Sequence, residues 1–159
     1  MTNHEKWTLC LGFWALCLGA VANATVIAPA EFADVVNGSQ LIVHGRVIEV
    51  RSEMTAGRRS IASLVTIAVD EALKGSAGST VIFRVPQGQV GRYRRIIVGA
   101  PDFVVGEEVL LFLTAKPPAI PAVFGLNQGV RRLRGDAGTR RLALDSLARR
   151  VRAVVERAR

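Results

Sequence analysis

From Leu41 onward the chain alternates between apolar and polar positions. Leu41–Arg51 (LIVHGRVIEVR) is rich in β-branched residues at a two-residue period, which predicts a half-buried strand with Gly45 as a bulge or bend. Met54–Arg59 (MTAGRR) reads as a turn. Ile61, Val65, Ile67 and Val69 then mark the buried face of a second strand, whose opposite face carries Thr66 and Asp70. Lys74-Gly75-Ser76-Ala77-Gly78 closes it. Thr80–Pro86 predicts a third strand with Val81, Phe83 and Val85 inward, and Gln87–Gly91 (QGQVG) a glycine-flanked loop. Tyr93–Val98 predicts a fourth strand and Gly99–Asp102 a turn. Glu107–Thr114 (EEVLLFLT) is apolar on both faces, the pattern of a central or covered strand. After the break at Lys116-Pro117-Pro118, Val123–Leu133 supplies one or two last short strands.

Two segments carry a helical period instead. Pro29–Val36 predicts a short helix, with Pro29 in the first turn and Asn37-Gly38 as its stop. In the tail, Leu144, Leu147, Ala148, Val151, Val154, Val155 and Ala158 recur at three and four, with Thr139 as N-cap. Arg149, Arg150, Arg152 and Arg157 fall outside this stripe. Three placements suit such a helix: packed on the strands, lying on an anionic membrane surface, or docked to an acidic partner. A short helix, five to seven strands with glycine-rich turns and a closing amphipathic helix predict a mainly β fold. Its expected form is a small closed or half-closed barrel.

The N-terminus departs from both patterns. Trp7–Val21 is an uncharged, mostly apolar run of fifteen residues, followed by Ala22-Asn23-Ala24. That core is shorter than the ~20 residues of a spanning helix and ends in a small-x-small site, which predicts an export signal cut after Ala24. The competing reading is an uncleaved membrane anchor. Three segments result: a signal at 1–24, a barrel domain with its leading helix at 25–134, and a basic amphipathic helix at 135–159. Both cysteines (Cys10, Cys17) and both tryptophans precede the cut, so the remainder has no disulfide and must hold by packing alone.

Charge is unevenly placed. Residues 25–130 carry ten Lys/Arg against nine acids, whereas residues 131–159 carry ten Arg against Asp136, Asp145 and Glu156. The formal net charge of +8 therefore belongs almost wholly to the tail.

The runs SQLIVHGRVIEV, VTIAVDEALKG, IIVGAPDFVVGEEVLLFL and FGLNQG, spread over about residues 31–134, resemble a family of exported bacterial proteins with a TIMP-like OB barrel. More remotely they are similar to the netrin-like module of the tissue inhibitors of metalloproteinases. The resemblance implies an OB-type barrel. Those inhibitors chelate a protease zinc through a disulfide-held N-terminal cysteine, whereas the expected mature N-terminus here is Thr25.

The chemistry points away from catalysis. After the expected cut His44 is the one imidazole, and a triad would need it beside an acid such as Asp34 or Asp70; no G-x-S-x-G elbow occurs. A strand histidine at a surface or barrel edge is the simpler reading. Asp70-Glu71 and Glu107-Glu108 are adjacent on strands, so alternation sends the members of each pair to opposite faces. Asp102, Glu107 and Glu108 lack EF-hand spacing, and one histidine without cysteine supplies too few ligands for zinc or copper, so no metal and no cofactor are expected. The glycines of QGQVG and KGSAG match no phosphate loop. Arg92, Arg94 and Arg95 flank Tyr93, yet aromatics for base stacking are few, so nucleic acid is not expected either.

The expected function is an exported, non-enzymatic binding module contacting another exported protein or an anionic envelope component. Its candidate surface is Arg92, Tyr93, Arg94 and Arg95 with Arg149, Arg150 and Arg152 of the tail, and membrane contact is at most peripheral. The alternative is an inhibitor-like partner of an exported metalloprotease. Cleavage is directly checkable: N-terminal sequencing of the exported protein should begin at Thr25, and a start at Met1 or Thr2 would establish the anchor instead.

Overall fold

The computed structural model describes residues 29–55, 60–115 and 118–158; the expected signal at 1–24 and most of the turn at 54–59 lie outside them. In chain order, helix α1 (Phe32–Gly38) precedes strands β1 (Leu41–Met54), β2 (Ile61–Lys74) and β3 (Thr80–Val85). A small hairpin, β4 (Gly88–Val90) and β5 (Tyr93–Arg95), follows, then β6 (Glu108–Leu113). A 3₁₀ turn (Leu126–Gly129), β7 (Val130–Arg132) and helix α2 (Ala137–Arg157) complete the fold.

Five strands form one antiparallel sheet in the order β3-β2-β1-β6-β7, and β4-β5 form a second. The sheet is half closed by Pro121–Phe124, which links the edge strand β3 to the end of β6. Arg84 N donates to Pro121 O at 2.8 Å on the β3 side, while Thr114 N donates to Ala122 O and Phe124 N to Phe112 O, both at 2.9 Å, on the β6 side. The Arg84–Ala122 contact is parallel. The protein is thus a mainly β, half-closed OB-like barrel with a helix at each end of the described chain.

Alternation explains both faces of the sheet. Leu41, Val43, Val47, Val65, Ile67, Val81, Phe83, Val85, Val109 and Leu111 fill the barrel interior. The intervening Ile42, Leu110 and Phe112 face outward, where Val35 and Val36 of α1 and Val151 of α2 cover them. The strand expected to be apolar on both faces, β6, is buried from Val109 to Leu113. The tail helix therefore packs on the sheet, and the centre of the stripe a membrane-surface helix would use lies under it. Fully burying a side chain such as Val151 stabilises by about 1.5–3 kcal/mol, more than the ion pairs at the helix margin supply. Among the described residues, no helix is long and apolar enough to cross a membrane.

Gly45 sits where the ladder is irregular: His44 pairs with Glu71 but Gly45 pairs with Val69, leaving Asp70 as the extra residue of a bulge. A Cβ at Gly45 would stand 2.1 Å from Ala68 O, so only glycine permits this approach.

Boundaries differ from the pattern in several places, among them β1, which runs to Met54 rather than Arg51. Helix α1 starts at Phe32 rather than Pro29, because Pro29–Glu31 is not helical and Ala30 N donates to Gln128 Oε1 at 2.7 Å. Its end is held by Lys74 Nζ, which donates to Val36 O at 2.7 Å and Asn37 O at 3.3 Å. The expected loop at Gln87–Gly91 contains β4, and the fourth predicted strand stops at Arg95 instead of Val98. The N-cap of α2 is Asp136, not Thr139: Asp136 Oδ1 accepts from Thr139 N at 2.8 Å, so Thr139 is the third helical residue.

The hydrogen bonds from Thr139 are the main cause that lowers the Asp136 carboxyl below its ordinary value. A depressed folded-state value means the cap stabilises above the ordinary carboxylate range and is lost as pH falls through the depressed one. Acid titration followed by circular dichroism should show α2 fraying in that low-pH window. Asp136→Asn, which keeps an uncharged acceptor, should remove this pH dependence.

Candidate functional site

The hairpin β4–β5 stands on the far half of the β1–β2 ribbon through a relay of hydroxyls. The hydroxyls of Ser52 and Ser63 lie 3.0 Å apart, Ser63 Oγ donates to Gln87 O at 2.8 Å, and Gln89 N donates to Ser52 Oγ at 3.2 Å. Gly88 makes this seat possible. Its φ is +154°, and a Cβ there would meet Ser52 Oγ at 2.5 Å and Ser63 Oγ at 2.6 Å. On the other side Gln87 Nε2 donates to Pro101 O at 3.1 Å and to Asp102 Oδ1 at 2.6 Å, tying the hairpin to the segment that leads into β6.

Between these supports lies a cleft of about 330 Å³. Val50, Val65, Val85 and Phe103 give it an apolar floor, Ser63, Gln87 and Gln89 add polar groups, and Arg94 and Arg95 stand in its lining. Phe103 is fixed edge-on to Phe83, with ring centroids 5.1 Å apart, and beneath the Arg132 guanidinium at 5.8 Å. Arg132 is itself held by Glu107 at 2.6 Å. Arg94, Arg95 and Ile96 continue into an open groove of about 910 Å³, whose opposite wall is Met54, Ser60 and Ile61.

The candidate residues named from sequence separate into two groups. Arg92, Tyr93, Arg94 and Arg95 are exposed together on the hairpin. Arg92 is turned onto Tyr93, 5.2 Å from its ring centroid, with Nη2 donating to the phenol oxygen at 3.2 Å. Arg94 and Arg95 make no ion pair among the described residues. The helix arginines behave differently. Arg150 lies 4.2 Å over the Phe32 ring of α1, and Arg152 Nη2 donates to Glu71 Oε1 at 2.8 Å, so both fasten α2 to the body. Arg149 alone of those three points to solvent without such a contact. The helix and the hairpin therefore do not make one arginine surface.

The sequence places Gln87 in the 87–95 loop of the candidate surface and offers Asp102 only as a cation ligand; it misses their pairing and the place of Phe103 in the cleft. The Pro101-Asp102 turn was visible, but nothing in its composition pairs it with a glutamine fourteen and fifteen positions earlier.

His44 is not at an edge. It lies on β1 between β2 and β6, with its side chain 7% exposed on the face that α2 covers. Nε2 is 3.0 Å from Glu108 Oε1 and Nδ1 is 3.8 Å from Asp70 Oδ2. Glu108 also receives Arg140 Nε at 3.0 Å, although that N–H is not aimed along the pair, and Arg46 Nη2 at 3.8 Å. The bulge at Asp70 corrects the expectation for Asp70-Glu71. Both carboxylates reach groups on the helix-covered face, His44 for Asp70 and Arg152 for Glu71. Glu107 and Glu108 do separate, one to Arg132 beside the cleft and the other to His44. The carboxylates flanking His44 sit at opposite ring nitrogens and do not converge, and among the described residues no group of three acidic, histidine or cysteine side chains is placed to hold a metal ion.

No protein-family model matches the chain, and no curated protein is similar enough to count as a match.

The two clusters make separable demands on stability. Glu108→Ala leaves the buried His44 without its hydrogen-bond partner and Arg140 without its charge partner, and should cost about 1–3 kcal/mol. Arg152→Ala breaks a pair exposed on both sides and should cost less than ~1 kcal/mol. Urea unfolding of the two variants measures both.

Proposed function

We propose that the protein is an exported, non-enzymatic binding module that takes an anionic partner at the hairpin cleft. The observation that carries this reading is the pair Arg94 and Arg95: two exposed guanidinium groups without an acid partner among the described residues, set at a cleft with an apolar floor and polar walls fixed by hydrogen bonds. Charged groups left without intramolecular partners beside a preformed concavity favour steering and orienting an oppositely charged ligand.

The placement of His44 supports a binding role over a hydrolytic one. Its nitrogens face Glu108 and Asp70 beneath α2, on the opposite side of the sheet from the cleft. A general base at the cleft would have to be Asp102, whose carboxylate already accepts from Gln87. The aromatic side chains speak against base stacking: Phe83 and Phe112 are wholly buried, and Tyr93 carries Arg92 on its ring.

Titration of the purified protein with poly-L-glutamate and with phosphatidylglycerol vesicles tests the reading. At least one probe should bind in a salt-dependent way, and R94E/R95E should weaken that binding by at least ~10-fold without lowering the melting temperature. Arg149→Glu, on the helix, should leave it unchanged. Equal binding by wild type and R94E/R95E, or binding lost only with Arg149→Glu, would overturn the assignment of the site.

A further inference from the structure

We infer that the partner engages the cleft as an extended acidic peptide segment, which adds itself as a strand along β5; this inference rests on the anionic-partner reading above. Strand β5 is a sheet edge. Among the described residues it pairs only with β4, in the register Gly88–Arg95, Gln89–Arg94 and Val90–Tyr93, and Tyr93, Arg94 and Arg95 are all exposed. An edge strand presents backbone donors and acceptors on its open side, which are a template for a further chain. The open groove of about 910 Å³ runs beside β5 and has Met54 and Ile61 on its other wall. It accommodates a chain in extended form.

Charge selects the occupant. Arginines often protect an edge by repelling copies of itself, and here a second β5 would set arginines against arginines directly across the ladder, which destabilises the pair. The same side chains attract carboxylates at those positions. Because alternate residues of a strand face opposite ways, Arg94 addresses one face of an added strand and Arg95 the other. The apolar wall of Met54 and Ile61 favours β-branched residues on the side that enters the groove. The segment that fits is therefore extended, acidic on the positions that meet the arginines and β-branched on those that meet the wall. A membrane surface offers the charge but no backbone to pair.

The distinguishing experiment holds charge constant and changes only the backbone. A peptide of repeating Glu-Glu-Val, which sets carboxylates on both faces, is compared with two isomers, each N-methylated at alternate residues in one of the two registers, by titration against the whole protein. An added strand turns every second amide toward β5, so one isomer should bind at least ~10-fold more weakly while the other binds within about twofold of the parent. Hydrogen exchange with the parent peptide should slow at backbone amides of Tyr93–Arg95 and leave α2 unchanged. If both methylated isomers bind as well as the parent, strand addition is wrong while the anionic site stands. If vesicles bind through Arg94 and Arg95 but the peptide does not, the partner class is wrong and the site again stands. If neither probe binds, both readings fall.

Discussion

Strand β6 must be covered on both sides, and the architecture follows from that requirement. Five consecutive residues, Val109–Leu113, are buried, three pointing into the barrel and Leu110 and Phe112 pointing out. A single curled sheet satisfies only the inner set. The outer set needs a second layer, and α1 and α2 provide it with Val35, Val36 and Val151. Without cysteine in the part of the chain that forms this fold, no covalent cross-link shares the task. The helix at the end of the chain is thereby a structural component of the sheet, and its arginines divide accordingly: Arg140, Arg150 and Arg152 meet the body, while Arg149 faces solvent.

This division leaves the two faces with different chemistry. The helix-covered face collects paired charge, with Glu108 gathering His44, Arg46 and Arg140, and Glu71 meeting Arg152. The cleft side retains cations that nothing within the described chain neutralises. Internal pairing on one face and open charge on the other is the arrangement expected when the first serves cohesion and the second serves contact. That contrast, more than the overall excess of arginine, locates the proposed site.

Much of the fold was legible because local periodicity reports local environment. Val81, Phe83 and Val85 alternate, so they point inward; Ala148 and Val151 lie on one helical stripe, so they face the sheet. The doubly apolar run at Glu107–Thr114 announced its own burial. What escaped was decided by partners far along the chain. Arg152 is eighty-one residues from Glu71, and Arg150 stacks on a phenylalanine of the opposite helix, so composition alone shows only a basic face. The three-residue ladder of β4 escaped for another reason. Gly88 and Gly91 are turn residues by propensity, and the hydroxyl pair Ser52–Ser63 beneath Gly88, not the glycines themselves, seats the strand. The cap at Asp136 escaped because Asp136 and Thr139 are both good N-caps, and only the direction of one hydrogen bond separates them.

The β1–β2 ribbon has a mechanical property that bears on the cleft. Strand β6 supports β1 only from Leu41 to Arg46, whereas β1 runs on to Met54 with β2 as its sole long partner. Strand β3 backs β2 from Ser63 to Ala68, so beyond β6 the ribbon is still three strands wide as far as the Ser52–Ser63 rung, and only its tip, Glu53–Met54 with Ile61–Ala62, is two-stranded. The hairpin β4–β5 is seated at the end of the supported stretch through Ser52 and Ser63 and is also moored to the barrel by Gln87 at Asp102. Bending of the tip therefore does not carry the hairpin along; it opens or narrows the groove between the tip and β5. A guest that bridges Met54 or Ile61 to β5 acts as a brace across it.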